Sequence, residues 1–187
     1  RVKNRQLEES LQQVESLAAT DHLTGLANRR RFSELLDRLY SEAVRYDFDL
    51  SCCMCDLDHY KQLNDTLGHQ VGDELLQLTA GIICQTLRES DVAARYGGDE
   101  FVLLLPHTSA DGALEVAERI RKQVAQASEA NARVKLPVTL SMGLASLTGD
   151  QPSSGDALIA MADRALYGAK DRGKNRIVVY ASLSQPA

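Results

Sequence analysis

The heptapeptide RYGGDEF, Arg95 to Phe101, lies between the apolar runs DVAA and VLLLP. Two short apolar segments separated by a glycine pair read as an antiparallel hairpin, with Gly97 and Gly98 supplying the positive φ that a tight two-residue turn needs. That hairpin constrains the fold more than any other feature. Helix-period and strand-like segments interleave on both sides of it, but a hairpin in the middle disfavours a purely parallel doubly wound sheet. The fold class expected is α+β, a mixed sheet with a central antiparallel hairpin surrounded by helices.

The other elements follow from period and punctuation. After a break at Asp21 and Gly25, Asn28 caps a helix running to about Arg45. DLSCCMCDL is almost wholly apolar, as a strand buried on both faces should be, and it ends on acids. Next come a short helix, a break at Gly68 and a long helix whose apolar face runs from Val71 through Leu75, Leu76, Leu78, Ile82 and Ile83 to Leu87. Beyond the hairpin, SADGALEVAERIRKQVAQA and GDALIAMADRALYGAKDR read as helices, VTLSMGLAS and RIVVY as strands.

A chain of 187 residues suits one domain with an appendage, here an N-terminal helix over 1–19, a domain over 20–181 and a tail over 182–187. In the helix, Leu7, Leu11, Val14 and Ala18 form the seam of a short coiled coil, with Asn4 at the preceding core position. So narrow a stripe cannot bury itself. It either packs on its own domain or, the preferred reading, ends a longer parallel helix joining an upstream module to a second copy of the chain.

A net charge of −5 and a pI near 5.4 argue against a general nucleic-acid binder, which needs a basic surface. No apolar run approaches the roughly 20 residues that span a bilayer, and no signal-peptide pattern opens the chain. A cytoplasmic region without membrane contact is expected, whether or not the full-length protein is anchored. Cys52, Cys53, Cys55 and Cys84 lack the paired spacing of a zinc site and read as buried thiols.

The chemistry is expected where acids gather. Asp56 and Asp58 end the first strand, and Asp99 and Glu100 sit at the hairpin turn. If that strand and the hairpin are neighbours, the carboxylates converge, at a cost of several kcal/mol that a divalent cation would remove. Oxygen ligands without His or Cys suit Mg²⁺ or Mn²⁺ and point to phosphoryl or nucleotidyl transfer. By residue type alone, acids at strand ends are as commonly solvated surface. The basic residues weigh against that: GAKDRGKN carries Lys170, Arg172 and Lys174, and Lys61 follows the acids, enough positive charge for a triphosphate. Asn64 and Asp73 flank the Gly68 break and together suit guanine, although each alone reads as a helix cap.

RYGGDEF, with DHLTGLANRRRF before it and CDLDHYKQLNDTLGHQVGDELL between, resembles the GGDEF family of diguanylate cyclases, over nearly the whole chain from Asp21 to GAKDRGKNRIVVY. The resemblance implies a palm-like fold shared with nucleotidyl cyclases and polymerases. It implies condensation of two GTP to cyclic di-GMP and two pyrophosphates, with two Mg²⁺ or Mn²⁺ per GTP site. Each domain would hold one GTP, so catalysis would need a homodimer, which the N-terminal helix would hold together beneath an upstream sensor module.

By matching position, Asp56, the Leu57 carbonyl, Asp99 and Glu100 would ligate metal, and Asp99 and Glu100, with Lys61, would form the catalytic set. Asn64 and Asp73 would read guanine with His69 nearby. Lys61, Lys170 and Lys174 would neutralise the triphosphate, and Gly97 and Gly98 would let backbone approach the nucleotide. RESD, Arg88 to Asp91, matches the family's R-x-x-D inhibitory site, with Arg119 as its second arginine. Without the family, R-x-x-D is an i,i+3 ion pair near a helix end. The alternatives are a catalytically inactive receptor for GTP or cyclic di-GMP and a purely dimerising partner domain.

Overall fold

The computed structural model describes residues 19–131 and 138–183. The coiled-coil seam from Asn4 to Ala18 therefore lies outside the described residues. Helix α1 spans Arg29–Tyr46; the Asn28 side chain caps it by accepting from Arg31 N, and Asp47, in the left-handed region, ends it. Its buried residues Phe32, Leu36, Leu39 and Ala43 recur at the helical period. Strand β1, Leu50–Leu57, is buried at every position. Helices α2, Tyr60–Leu67, and α3, His69–Thr86, are divided at Gly68, whose φ of 87° favours glycine. Strands β2, Val92–Arg95, and β3, Glu100–Pro106, form the hairpin. Helix α4, Ala110–Ala130, strand β4, Leu140–Ser146, the single turn α5, Leu147–Asp150, helix α6, Gly155–Asp171, and strand β5, Ile177–Val179, complete the order. A 3-10 turn over Tyr180–Leu183 packs back on α6 through Leu183.

The five strands lie in the order β2-β3-β1-β4-β5. Only the β4–β5 pair is parallel; β1 pairs antiparallel with both β3 and β4. Strand alternation sends Cys53, Cys55, Leu57, Phe101 and Leu103 to one face, where α2, α3 and α4 cover them. It sends Leu50, Cys52, Met54, Val102 and Leu104 to the other, under α1 and α6. This double cover explains why β1 carries no polar residue before Asp56 except Ser51, whose hydroxyl donates to Thr108 O.

Two expectations need correction here. Gly97 and Gly98 are not among the positive-φ residues. The N–H groups of both Tyr96 and Gly97 donate to Glu100 O, so the connection is wider than a two-residue turn and needs no left-handed residue. Cysteines 52, 53 and 55 are buried as expected, but Cys84 is exposed on α3, one position past the buried Ile83.

Candidate active site

The register of β1 against β3 sets Asp56 directly opposite Glu100. Leu57 N donates to Asp99 O at 3.3 Å, which brings the third acid to the same edge. Burial pushes the Asp56 carboxyl up to about 6, Lys170 opposes that rise, and the charges of Asp99 and Glu100 add to it. The convergence expected of Asp56, Asp99 and Glu100 is therefore present, and their like charge adds to the rise that burial causes at Asp56. Lys170, at the end of α6, places its Nζ 2.8 Å from Asp56 Oδ2, with the two side chains 36% and 10% exposed. The lysine expected to meet triphosphate stands on this carboxylate.

Asp58 does not join this group. It is buried and accepts from Thr139 Oγ1 at 2.6 Å, Ser141 Oγ at 2.7 Å and Asn175 N at 3.0 Å. These bonds use its lone pairs, so Asp58 tethers the loop after α6 to β1 and β4 rather than offering oxygens to a ligand. Lys174, in the left-handed region, lies on that tethered loop. Among the described residues, no three His, Cys, Asp or Glu side chains stand together as a ready metal cage. The chemistry of the donors still fits a hard dication: facing carboxylates, the neighbouring Leu57 and Asp99 backbone, and no softer ligand.

Gly97 acts through space rather than torsion. A Cβ on Gly97 would come within 2.6 Å of Glu100 Oε2, whereas one on Gly98 would meet nothing within 4 Å. The first leaves room for the acid and the second leaves the tip of the turn open. A cleft of about 350 Å³ between the hairpin and α6 shares Glu100 with the acid edge and is lined also by Met54, Tyr96, Asp156 and Asp163.

On the opposite face, Lys61 is exposed on α2, and His69 and Asp73 are exposed on the first turns of α3. The Asn64 side chain lies between the two helices against Gly72 and Tyr60. Arg88, Asp91 and Arg119 line one cavity of about 260 Å³ with His107, Ser109 and Glu115. The i,i+3 ion pair is not formed: Asp91 Oδ2 accepts from the backbone N of Arg88 at 2.8 Å, which leaves the guanidinium out of that bond.

The sequence reading assigned no role to Asp21 or Arg95, yet they build the turn. Asp21 accepts from Thr24 N and Thr24 Oγ1 and pairs with Arg95 at 3.3 Å. Arg95 Nε and Nη2 both donate to Gly98 O, at 3.1 and 2.8 Å. Burial alone would raise the Asp21 carboxyl, but the Thr24 hydrogen bonds and Arg95 hold it below the usual range. A depressed folded pKa contributes stability above the unfolded value near 4 and loses it as pH falls through the folded value. Asp21→Asn should therefore cost about 1–3 kcal/mol at pH 7. The gap in denaturant midpoint between variant and parent should close as pH falls below about 4; a gap independent of pH would remove the ionic pair from the account.

A palm-type mixed sheet, with carboxylates and a lysine at the hairpin edge, defines a nucleotidyl-cyclase-like class of domain. The family model for the diguanylate cyclase GGDEF domain matches residues 18–176, and the chain belongs to that family. It is 40% identical over 164 residues to the response regulator PleD of Caulobacter vibrioides, covering 87% of this chain and 36% of PleD. It is 40% identical over 162 residues to the diguanylate cyclase DgcP of Pseudomonas aeruginosa, covering 87% of this chain and 24% of DgcP. The chain thus spans about a third or less of these relatives. Among solved structures, the GGDEF domain of DgcB from Caulobacter crescentus, in complex with c-di-GMP, superposes with a TM-score of 0.80 at 35% identity, covering 87% of this chain and 96% of that one. The active GGEEF domain of a Vibrio cholerae diguanylate cyclase gives 0.77 at 31%, covering 83% and 97%. No helix among the described residues is long and apolar enough to cross a membrane.

Proposed function

We propose that this chain is the catalytic domain of a diguanylate cyclase, joining two GTP into cyclic di-GMP with release of two pyrophosphates across a homodimer interface. The observation that carries this reading is the acid edge itself: Asp56, Asp99 and Glu100 meet there, with Lys170 already on Asp56. Asp56, Leu57 O, Asp99 and Glu100 would hold Mg²⁺ or Mn²⁺, two ions per GTP. Such ions neutralise phosphate charge and ease deprotonation of the attacking 3′-hydroxyl. Lys61, Lys170 and Lys174 carry the balancing charge for a triphosphate, and Lys170 exchanges its carboxylate partner for phosphate oxygens. Asn64 and Asp73, with His69 beside them, accept the N–H groups of guanine. Asp73 disfavours adenine, whose N1 carries no hydrogen. Gly98 leaves the tip of the turn open to a nucleotide.

The cavity that gathers Arg88, Asp91 and Arg119 supports a second part of the reading, inhibition by the product. Two arginines lining one cavity with the capped N-terminus of α4 suit a phosphate flanked by guanine. One assay addresses both parts: the chain is incubated with GTP and Mg²⁺, and cyclic di-GMP is followed by chromatography with mass detection at several protein concentrations. Turnover per domain should rise with concentration, as a dimeric site requires, and Asp99→Ala should make no product. Binding of GTP without any product would favour the inactive receptor. Added cyclic di-GMP should slow the reaction, and Arg88→Ala should raise the half-inhibiting concentration about tenfold or more, as loss of a charged contact implies. An unchanged value would remove the inhibitory site.

A further inference from the structure

Gly173, Lys174 and Asn175 follow α6 with φ of 106°, 62° and 45°. One left-handed residue, here the glycine, ends a helix in the ordinary way. Two more with side chains do not, because a Cβ in that region crowds the following carbonyl, and lysine lacks the short polar group with which asparagine offsets the cost. Such a run persists only where its surroundings hold it. Two anchors do so, and both close on Asn175. On one side its N–H donates to the buried Asp58 carboxylate at 3.0 Å. On the other, Arg121 Nη1, from α4, donates to both the carbonyl and the side-chain oxygen of Asn175. The rest of that guanidinium is fixed in turn: Nε and Nη2 donate to Glu118 Oε2 and Oε1 at 2.8 and 2.7 Å, and the Arg121 side chain is 16% exposed. A loop needed only to join α6 to β5 could take cheaper torsions.

We propose that Arg121 is a positioning residue for phosphate binding: by gripping Asn175 against the Asp58 tether, it holds Lys174 in the left-handed conformation in which that lysine meets a nucleoside triphosphate. This inference rests on the proposed reading of Lys174 as a triphosphate contact. It adds an arginine that need not touch the nucleotide. The neighbouring contacts fit. Lys170 is held at Asp56, and Lys174 N donates to Ala169 O at 3.0 Å, so the Lys174 backbone stays against the end of α6 beside the acid edge. A lysine on a loose loop would have to be ordered when the nucleotide arrives, and that cost would come out of the affinity. Torsions held beforehand remove the backbone share of it. Arginine suits the task because its planar fork serves Glu118 with one edge and Asn175 with the other.

The probe is the α,β-methylene analogue of GTP, which cannot release pyrophosphate. Its affinity is measured by calorimetry with Mg²⁺ on the whole chain, alongside thermal unfolding. Lys174→Met should weaken binding about tenfold or more, as loss of a charged contact implies. Arg121→Met should weaken it several-fold, and Arg121→Lys nearly as much, because one ammonium cannot hold Glu118 and Asn175 together. The two losses should not add. In the Lys174→Met background, Arg121→Met should change the affinity by less than about twofold, since the residue it positions is gone. Asn175→Gly keeps the N–H for Asp58 and the left-handed torsion but removes the side-chain oxygen that Arg121 grips. It should show the same dependence on Lys174 and serves equally if Arg121→Met does not fold. Full affinity in Arg121→Met beside a weakened Lys174→Met, or an equal loss from Arg121→Met with and without Lys174, would overturn the positioning role alone. An unweakened Lys174→Met would overturn the triphosphate contact beneath it.

Discussion

Asp56→Asn is expected to cut cyclic di-GMP formation by about two to three orders of magnitude, because the electrostatic stabilisation a held dication gives is worth several kcal/mol. The same substitution should leave the metal-free protein more stable at neutral pH. Burial raises the folded pKa of Asp56 to about 6 against the opposition of Lys170, with the charges of Asp99 and Glu100 adding to the rise. The native state therefore binds a proton more readily than the unfolded chain between about pH 4 and 6, and the metal-free protein loses stability as pH rises across that window. Asparagine cannot ionise and does not follow. Urea midpoints at pH 4 and pH 7 without divalent ions, paired with turnover in Mg²⁺, separate the two effects. Loss of both turnover and stability would mark Asp56 as a structural acid and sink its metal role.

Gly143→Ala should be the most destabilising single-methyl change in the sheet. Gly143 lies on β4 between Met54 and Val178. A Cβ there would run into Leu166 N and Ala162 O and come within 2.7 Å of Ala165 C, all backbone atoms of α6. Backbone cannot swing aside, so α6 must lift from the sheet, at about 3 kcal/mol or more. For a domain of this size that lowers the melting temperature by roughly 6–12 °C. Lys170 rides on the same helix, 2.8 Å from Asp56, so turnover should fall with it. A melting temperature within about 2 °C of the parent would mean that α6 can slide at little cost.

The sequence made the layers and the acid edge legible because local signals carry them. Eight consecutive buried residues announce β1, Asn28 announces α1, and the hairpin is readable from its two apolar arms. It did not make legible whatever depends on distant chain. Asp58 looks like a twin of Asp56, yet Thr139 and Asn175, 81 and 117 residues away, claim its oxygens. The partner of Lys170 was hidden for the same reason, since which acid a lysine meets depends on how closely α6 can approach the sheet. Gly97 and Gly98 carried two readings, torsion for a tight turn and room for a close approach; spacing cannot tell the one need from the other, and only the torsions exclude the first.

The sheet also has a bearing on crowding. Its outer strands are the shortest, four residues in β2 and three in β5. The free side of β2 is already taken, because Ala27 N donates to Ala93 O and Arg95 N to Ala27 O. Long open strands invite a second chain to add on indefinitely. A domain proposed to meet its own copy at every turnover is concentrated against itself for its working life, and these blunted borders leave its helices and loops, rather than its backbone, as the surfaces through which copies associate. Repeated encounter can then stop at two.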